Sequence, residues 1–281
     1  MNLQKINILK RNSNNIKKKL GSKKKVFFFL DSVSFPLIKK RLNFLKLKNF
    51  KFYFIFEKEK YFKNRINRFI TKEQFYLLSK DNQNRVAKKI DKINPDLGII
   101  FSFGQKIYPI IIKKFRFKII NYHTSILPKY GGANPLFWTI VNNENRTGVS
   151  VHYINHMFDS GGLIQQSTFK IKSTDNRKSL STKLEKITLN LIFKNLTKFS
   201  KSKCATKLIE NTKIWPRFNK SKEINLNDDE FKIQQFIKAL TKPILINEWT
   251  YPYFISKMGK LVKFQSVPSI EEIRILKKKH L

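Results

Sequence analysis

The sequence predicts an α/β protein: a doubly wound, mostly parallel sheet followed by a small C-terminal β-rich domain. Three observations predict it. "VFFFL" (26–30) is an unbroken apolar run between a lysine cluster and Asp31, the pattern of a strand buried on both faces. Further short apolar runs alternate with segments of helical spacing as far as about residue 200. After residue 210 the character changes to a polar linker, one helix and short hairpin-like strands.

Taken in order, "KKVFFFLDS" (24–32) gives the first strand, and "FPLIKKRLNFLK" (35–46) has apolar residues at helical spacing. "FKFYFIFEK" (50–58) is the second strand. "SKDNQNRVAKKIDKINPD" (79–96) reads as a helix with Asp81 as its N-cap and a stop at Asn94–Pro95. "DLGIIFSFGQKI" (96–107) supplies a third strand and "FKIINYH" (117–123) a fourth. "ANPLFWTIVNN" (133–143) is a helix whose Phe137 and Trp138 are most simply core. "GVSVHYIN" (148–155) alternates like a strand, and "GGLIQQSTFKI" (161–171) like its partner. "SLSTKLEKITLNLIFKNLTKF" (179–199) is a long amphipathic helix able to close the domain. "INLNDDEFKIQQFIKALTKP" (224–243) and "TYPYFISKMGKLVKFQSV" (250–267) read as a helix and a hairpin. The expected units are a basic disordered tail (1–23), a main domain (24–207) and a small C-terminal domain (208–281). The boundary falls near 205–212.

The formal net charge of +39 resembles a nucleic-acid signal. Of the 58 basic residues, however, 48 are Lys and only 10 are Arg, and Phe, Ile and Asn are abundant along the whole chain. That joint bias is the mark of an AT-rich coding sequence, with a true polyanion partner as the weaker reading. With 41% hydrophobic residues the chain can bury a substantial core, which excludes a disordered protein.

Cys204 is the single cysteine, so no intramolecular disulfide forms; a reducing, cytoplasmic setting is expected. Its basic surroundings, "KSKCATK", do not make it a catalytic thiol. No apolar run approaches a bilayer span, so no membrane insertion is expected. Residues 1–25 carry nine Lys/Arg and no acid, and lack the apolar stretch of a secretory signal. An organellar address is the minority reading of this tail. No metal-ligand spacing appears.

"INYHTSILPKYGGANPLFWTI" (120–140) departs from the bias of the chain. It falls at a strand end, where this architecture places ligands. On an extended segment Asn121, His123 and Ser125 project together, with Tyr122 and Thr124 pointing away. A His there can act as a base or a cation near neutral pH, and an Asn beside it can donate to an oxygen that becomes an oxyanion. Pro128 and Gly131–Gly132 would bend the backbone and let it approach a ligand. Asp159, before a Gly pair, is the candidate carboxylate to orient His123. His152 reads as a partly buried structural residue; His156 and His280 carry no argument. Glu57, Lys58 and Glu59 read as a solvated face.

"NYHTSILPKYGGANPLFWTI…TGVSVHYINHMFDSGGLI" resembles the signature of the formyltransferases that use 10-formyltetrahydrofolate: N-x-H-x-S-x-L-P, a Gly-rich turn, T-G-V/C-[ST] and a late [LVI]-D-[TS]-G. The likeness covers residues 95–170 closely and 24–200 loosely, and "ALTKP…EWTYPYFISKMGK" is similar to the small C-terminal domain of the methionyl-tRNA and amino-sugar branches. It implies a Rossmann-like formyltransferase fold and a triad. Asn121 would hold the formyl oxygen and stabilise the tetrahedral oxyanion. His123 would take the acceptor's proton or, as a cation, support that oxyanion. Asp159 would tune His123 and hold a relaying water. "SFGQ", Ser102, Phe103, Gly104 and Gln105, would line the folate pocket with backbone groups; Ser125 and Gly161 join that set, Ser125 chiefly as loop support. The chain departs from the pattern at Gly131, where the family has Arg, and at Gly162, where Asp or Pro is usual.

The implied partners are folate and an amine acceptor, with a homodimer left open. Methionyl-tRNA enzymes carry a basic, Pro- and Gly-rich insertion after the second strand. Here "EKEKYFKNRINRF" (57–69) is basic without that signature. The acceptor expected is therefore a nucleotide-linked 4-amino sugar, with methionyl-tRNA as the alternative. A glycinamide ribonucleotide enzyme would end near the first domain, and a formyltetrahydrofolate hydrolase would carry an extra N-terminal domain. An inactive paralogue that binds a polyanion is the non-enzyme reading.

Overall fold

The computed structural model describes residues 23–31, 34–45, 49–57, 74–198, 207–216, 223–240, 252–256, 258 and 261–280. The basic tail, the 58–69 part of the basic segment and Cys204 lie outside these.

An eight-stranded sheet runs in the order β3-β2-β1-β4-β5-β7-β8-β9. Its first half is parallel: β1 (Lys24–Leu30) lies between β2 (Phe50–Glu57) and β4 (Leu97–Phe101), with β3 (Phe75–Leu78) outside β2 and β5 (Ile119–His123) beside β4. Then the direction changes. β7 (Arg146–Tyr153) pairs antiparallel with β5, followed by β8 (Gly162–Lys170) and β9 (Lys207–Leu208).

The apolar run of β1 has a two-faced cause. Val26, Phe28 and Leu30 pack under α1 (Phe35–Leu45) and α5 (Arg177–Lys198). Phe27 and Phe29 pack under α2 (Gln83–Ile93) and α3 (Pro109–Ile112). With helices on both faces, alternation gives no polar positions, and all five side chains are buried. Each such burial contributes about 1.5–3 kcal/mol.

Two local expectations change. Asn82, not Asp81, occupies the cap of α2, after a short 3₁₀ turn over 80–82; its Oδ1 accepts the Ser79 N–H at 3.0 Å. The helix ends at left-handed Asn94 before Pro95, as the sequence predicts. The edge strand β3 was not foreseen, because "FYLL" is too short to show a period.

Near the expected boundary, two short strands pair with earlier segments. Position 208 cuts through β9, which belongs to the main sheet. The next strand, β10 (Ile214–Trp215), pairs in parallel with a two-residue strand, β6 (Gly131–Gly132). Residues 207–208 and 214–215 thus pair with β8 and β6. The C-terminal unit holds the antiparallel pair β11 (Tyr253–Ile255) and β12 (Leu261–Lys263), together with helices α6 (Glu230–Leu240) and α7 (Ile270–His280) around Ile233, Ile237, Phe254 and Ile273. Among its described residues it holds two helices and two strands. Ala239 and Leu240 dock it against Phe137 and Ile140 of α4 (Pro135–Val141).

Candidate active site

Asn121 and His123 sit at the carboxyl end of β5, where the sheet turns from parallel to antiparallel. Their spacing of two puts them on one face, while Tyr122 between them enters the core. Asp159 comes from the loop joining β7 to β8 and is held at φ +48°. The three side chains that the sequence singled out therefore meet.

The contacts are specific. Asn121 Nδ2 donates to Asp159 Oδ1 at 3.1 Å. His123 Nδ1 faces Asp159 Oδ2 at 3.6 Å, and its Nε2 donates to the Tyr130 carbonyl at 2.8 Å. The Gly132 backbone N–H donates to Asp159 Oδ2 at 2.7 Å. His123 and Asp159 are buried and Asn121 is half-buried, so access from solvent is by way of Asn121. Burial works to raise the Asp159 carboxyl. The charge on His123, the hydrogen bond from His152, the Gly132 amide and the charge on His152 more than offset it. The net effect holds the carboxyl far below the usual carboxylate range.

His152 was read as partly buried and structural; it is fully buried and belongs to the constellation. Its Nε2 lies 3.2 Å from Asn121 Nδ2 and 3.4 Å from Asp159 Oδ1. The signal was the antiparallel register, which sets His152 opposite Asn121. A pattern without strand pairing could not show it.

Ser125 does not reach the cleft. It lies past the end of β5, is fully buried, and its hydroxyl donates to the carbonyls of Lys129 at 2.9 Å and Tyr130 at 3.2 Å. Ser150 Oγ donates to the Ser125 carbonyl and accepts the Leu127 N–H, fastening the same loop to β7. At Gly161 a Cβ would strike the Tyr153 carbonyl. Gly131 and Gly132 allow a close approach between chain segments. A Cβ on Gly131 would strike Thr212, and Gly132 adopts φ +88° beside Trp215.

Of the "SFGQ" loop, Ser102, Gly104 and Gln105 are exposed and Phe103 is half-buried against Phe29. Ser102 is left-handed, and its hydroxyl donates to Asp31 Oδ2 at 2.6 Å. The Gly104 N–H donates to Glu57 Oε1, so Glu57 is no solvated residue. Lys106 stacks over exposed Phe158 at 5.6 Å, joining this loop to the one that carries Asp159. Among the described residues, no group of three or more acids, histidines or cysteines could hold a metal, and no helix is long and apolar enough to cross a membrane.

The profile of the family described as formyl transferase matches residues 55–196, half of the chain. The chain belongs to the formyl transferase family. The methionyl-tRNA formyltransferase of Buchnera aphidicola subsp. Acyrthosiphon pisum is 30% identical over 197 residues, 66% of this chain and 58% of that protein. The chain thus spans less than two thirds of that relative. A 4-N formyltransferase from Francisella tularensis superposes on this formyl transferase fold with a TM-score of 0.69 at 19% identity, covering 88% of this chain and 98% of that one. An N-formyltransferase from Helicobacter canadensis, solved with folinic acid and dTDP-3-aminofucose, gives 0.60 at 20% identity, with 77% and 80% covered. As a formyl transferase, the chain places its family match over β4, β5, β7 and β8, the strands that build the constellation.

Proposed function

We propose that this protein transfers a formyl group from 10-formyltetrahydrofolate to a primary amine, and that the amine belongs to a nucleotide-linked 4-amino sugar. The observation that carries the reaction is the convergence of Asn121, His123 and an ionised Asp159 at the parallel-to-antiparallel switch of the sheet. In the reaction the amine nitrogen bonds to the formyl carbon, the bond from that carbon to folate N10 breaks, and the amine's proton ends on N10. The carbon passes through a tetrahedral oxyanion. His123, held between the Tyr130 carbonyl and Asp159, would take the amine's proton or, as a cation, support that oxyanion. Asp159 anchors it. The folate would lie along 102–105, whose exposed backbone flanks Asn121 through the β4–β5 pairing, with exposed Phe158 and Met157 offering apolar surface.

The sugar reading is supported by the fold's match to almost the full length of a 4-N formyltransferase. Methionyl-tRNA is the second reading, supported by the 30% identity to the Buchnera enzyme and by the +39 charge. The test is formyl transfer from 10-formyltetrahydrofolate to a nucleotide-linked 4-amino sugar, to methionyl-tRNA and to uncharged tRNA in parallel. Transfer to the sugar is expected. Transfer to methionyl-tRNA alone overturns the acceptor, and transfer to neither overturns the reaction.

A further inference from the structure

His152 is a buried titratable group that the reaction above leaves without a task. It hangs from β7 at a bulge: the β7–β8 register shifts between Val151 and His152. Such a shift re-aims a side chain. Here the imidazole Nε2 lies beside both Asn121 of β5 and Asp159.

The hydrogen bonds define the protons. His152 Nδ1 lies 2.8 Å from the Tyr153 carbonyl, which can only accept, so Nδ1 carries a proton. In the neutral ring Nε2 is then a bare acceptor. Asn121 Nδ2 has two protons and two partners: Asp159 Oδ1 at 3.1 Å and His152 Nε2 at 3.2 Å. The amide is turned this way because the opposite orientation would set its oxygen against a carboxylate. Neither amide proton of Asn121 is then free for a substrate, and its Oδ1 has no hydrogen-bond partner among the described residues.

We infer that His152 is a positioning residue that latches the Asn121 amide while neutral and releases one of its protons toward the reaction space when Nε2 is protonated. The inference rests on the transfer reaction proposed above. In the protonated state Nε2–H faces Asp159 Oδ1, 3.4 Å away, and the Asn121 proton it displaces becomes available to a formyl oxygen. The groups around the ring are Asn121 and, across Asp159, His123 from β5, Asp159 itself from the β7–β8 loop, and Leu163 opposite it on β8. Asp159 and His123 are the ionisable side chains among them.

The experiment has two arms. Imidazole and side-chain amide ¹⁵N spectra of the whole protein across pH should show neutral His152 protonated at Nδ1 and the Asn121 amide protons shifting as His152 titrates. A proton on Nε2 in the neutral ring, or an Asn121 amide indifferent to that titration, overturns the latch. In the second arm, formyl-transfer kcat is followed against pH for the wild type, His152→Phe, which has no acceptor, and His152→Gln, which has an acceptor that cannot titrate. The ratio of the Phe variant to the wild type should rise by about tenfold toward alkaline pH, and the Gln variant should lack the part of the wild type's pH dependence that the Phe variant also lacks. Parallel profiles for all three overturn it. A wild type without turnover strikes the proposed reaction instead, and the spectra of the wild type still decide the latch. If His152→Phe does not fold, the Gln variant and the spectra remain decisive.

Discussion

The backbone N–H of Gly132 donates to Asp159 Oδ2 at 2.7 Å, so the carboxylate is fixed by the glycine turn that follows the histidine motif. A second contact closes the clasp: Thr212 Oγ1 donates to the Asp159 carbonyl at 3.1 Å. Replacing Gly132 with Ala sets a Cβ at φ +88° and 2.6 Å from the Trp215 carbonyl. A loss on the order of 1–3 kcal/mol is expected from the backbone conformation and the forced shift. Gly132→Ala should unfold at lower temperature and transfer formyl more slowly. An unchanged melting temperature would show that the β6–β10 pairing is not under this constraint.

In the proposed reaction, His123→Ala and Asn121→Ala each remove a member of the triad. Each should lower kcat by about 10²–10⁴-fold. The folded state should survive, since Asn121 is half-buried and neither residue belongs to the apolar core. Single-turnover transfer together with circular dichroism separates a chemical loss from unfolding. Full activity in His123→Ala would remove it from the mechanism.

The Asp159 carboxyl makes stability depend on pH in a stated direction. Its folded-state pKa lies below its unfolded value, through the charge on His123, the contacts from His152 and the Gly132 amide, against the opposing effect of burial. Such a group stabilises the fold fully above the unfolded pKa of about 3.9 and loses that contribution as pH falls through it toward the folded value. Asp159→Asn should therefore be less stable than the wild type at neutral pH, and the gap should narrow in acid. Urea midpoints at neutral pH and near pH 3.5 check the sign; a gap that widens in acid would contradict the assignment.

Phe28 tests the packing. It is fully buried among side chains of β2, and its face of the sheet is covered by α1 and α5. Phe28→Ala should cost about 3–5 kcal/mol, measured by chemical denaturation. The same argument explains how much of the fold was legible. The apolar run of β1 could be read because burial on both faces leaves no polar position to confuse it. β8 could be read because every second residue from Gln166 to Lys170 is exposed, whereas β7 beside it is buried along nearly its whole length and shows its alternation in residue type alone. β3 could not, being four residues long, and neither could β9 and β10, two-residue strands made by pairing alone. In the site, the alternation of Asn121 and His123 was visible along one strand, and Asp159 stood out before its glycines. His152 joins them only through cross-strand register and a bulge, neither of which is written in local sequence. The strand ends at His123, and beyond it the Ser125 hydroxyl turns to loop carbonyls, in keeping with the loop support expected of it.

Glu57 gives the last prediction. At the carboxyl end of β2 it accepts the Gly104 N–H, while Asp31 at the end of β1 accepts the Ser102 hydroxyl. Two acids thus hold a loop whose exposed residues include Gly104 and Gln105, in a chain with only 19 acidic residues against 58 basic ones. Asp31 also accepts the Ser34 N–H at 2.7 Å just before α1, so its loss would disturb the helix start as well. Glu57 separates the two effects. Glu57→Gln keeps an oxygen for Gly104 and should behave nearly as the wild type. Glu57→Ala frees the loop and should raise the KM for 10-formyltetrahydrofolate by about tenfold, the effect of losing a charge-assisted hydrogen bond of roughly 1.5 kcal/mol, while kcat changes little. A fall in kcat at constant KM would instead place the loop's influence on the reacting groups, through the contact of Lys106 with Phe158 beside Asp159.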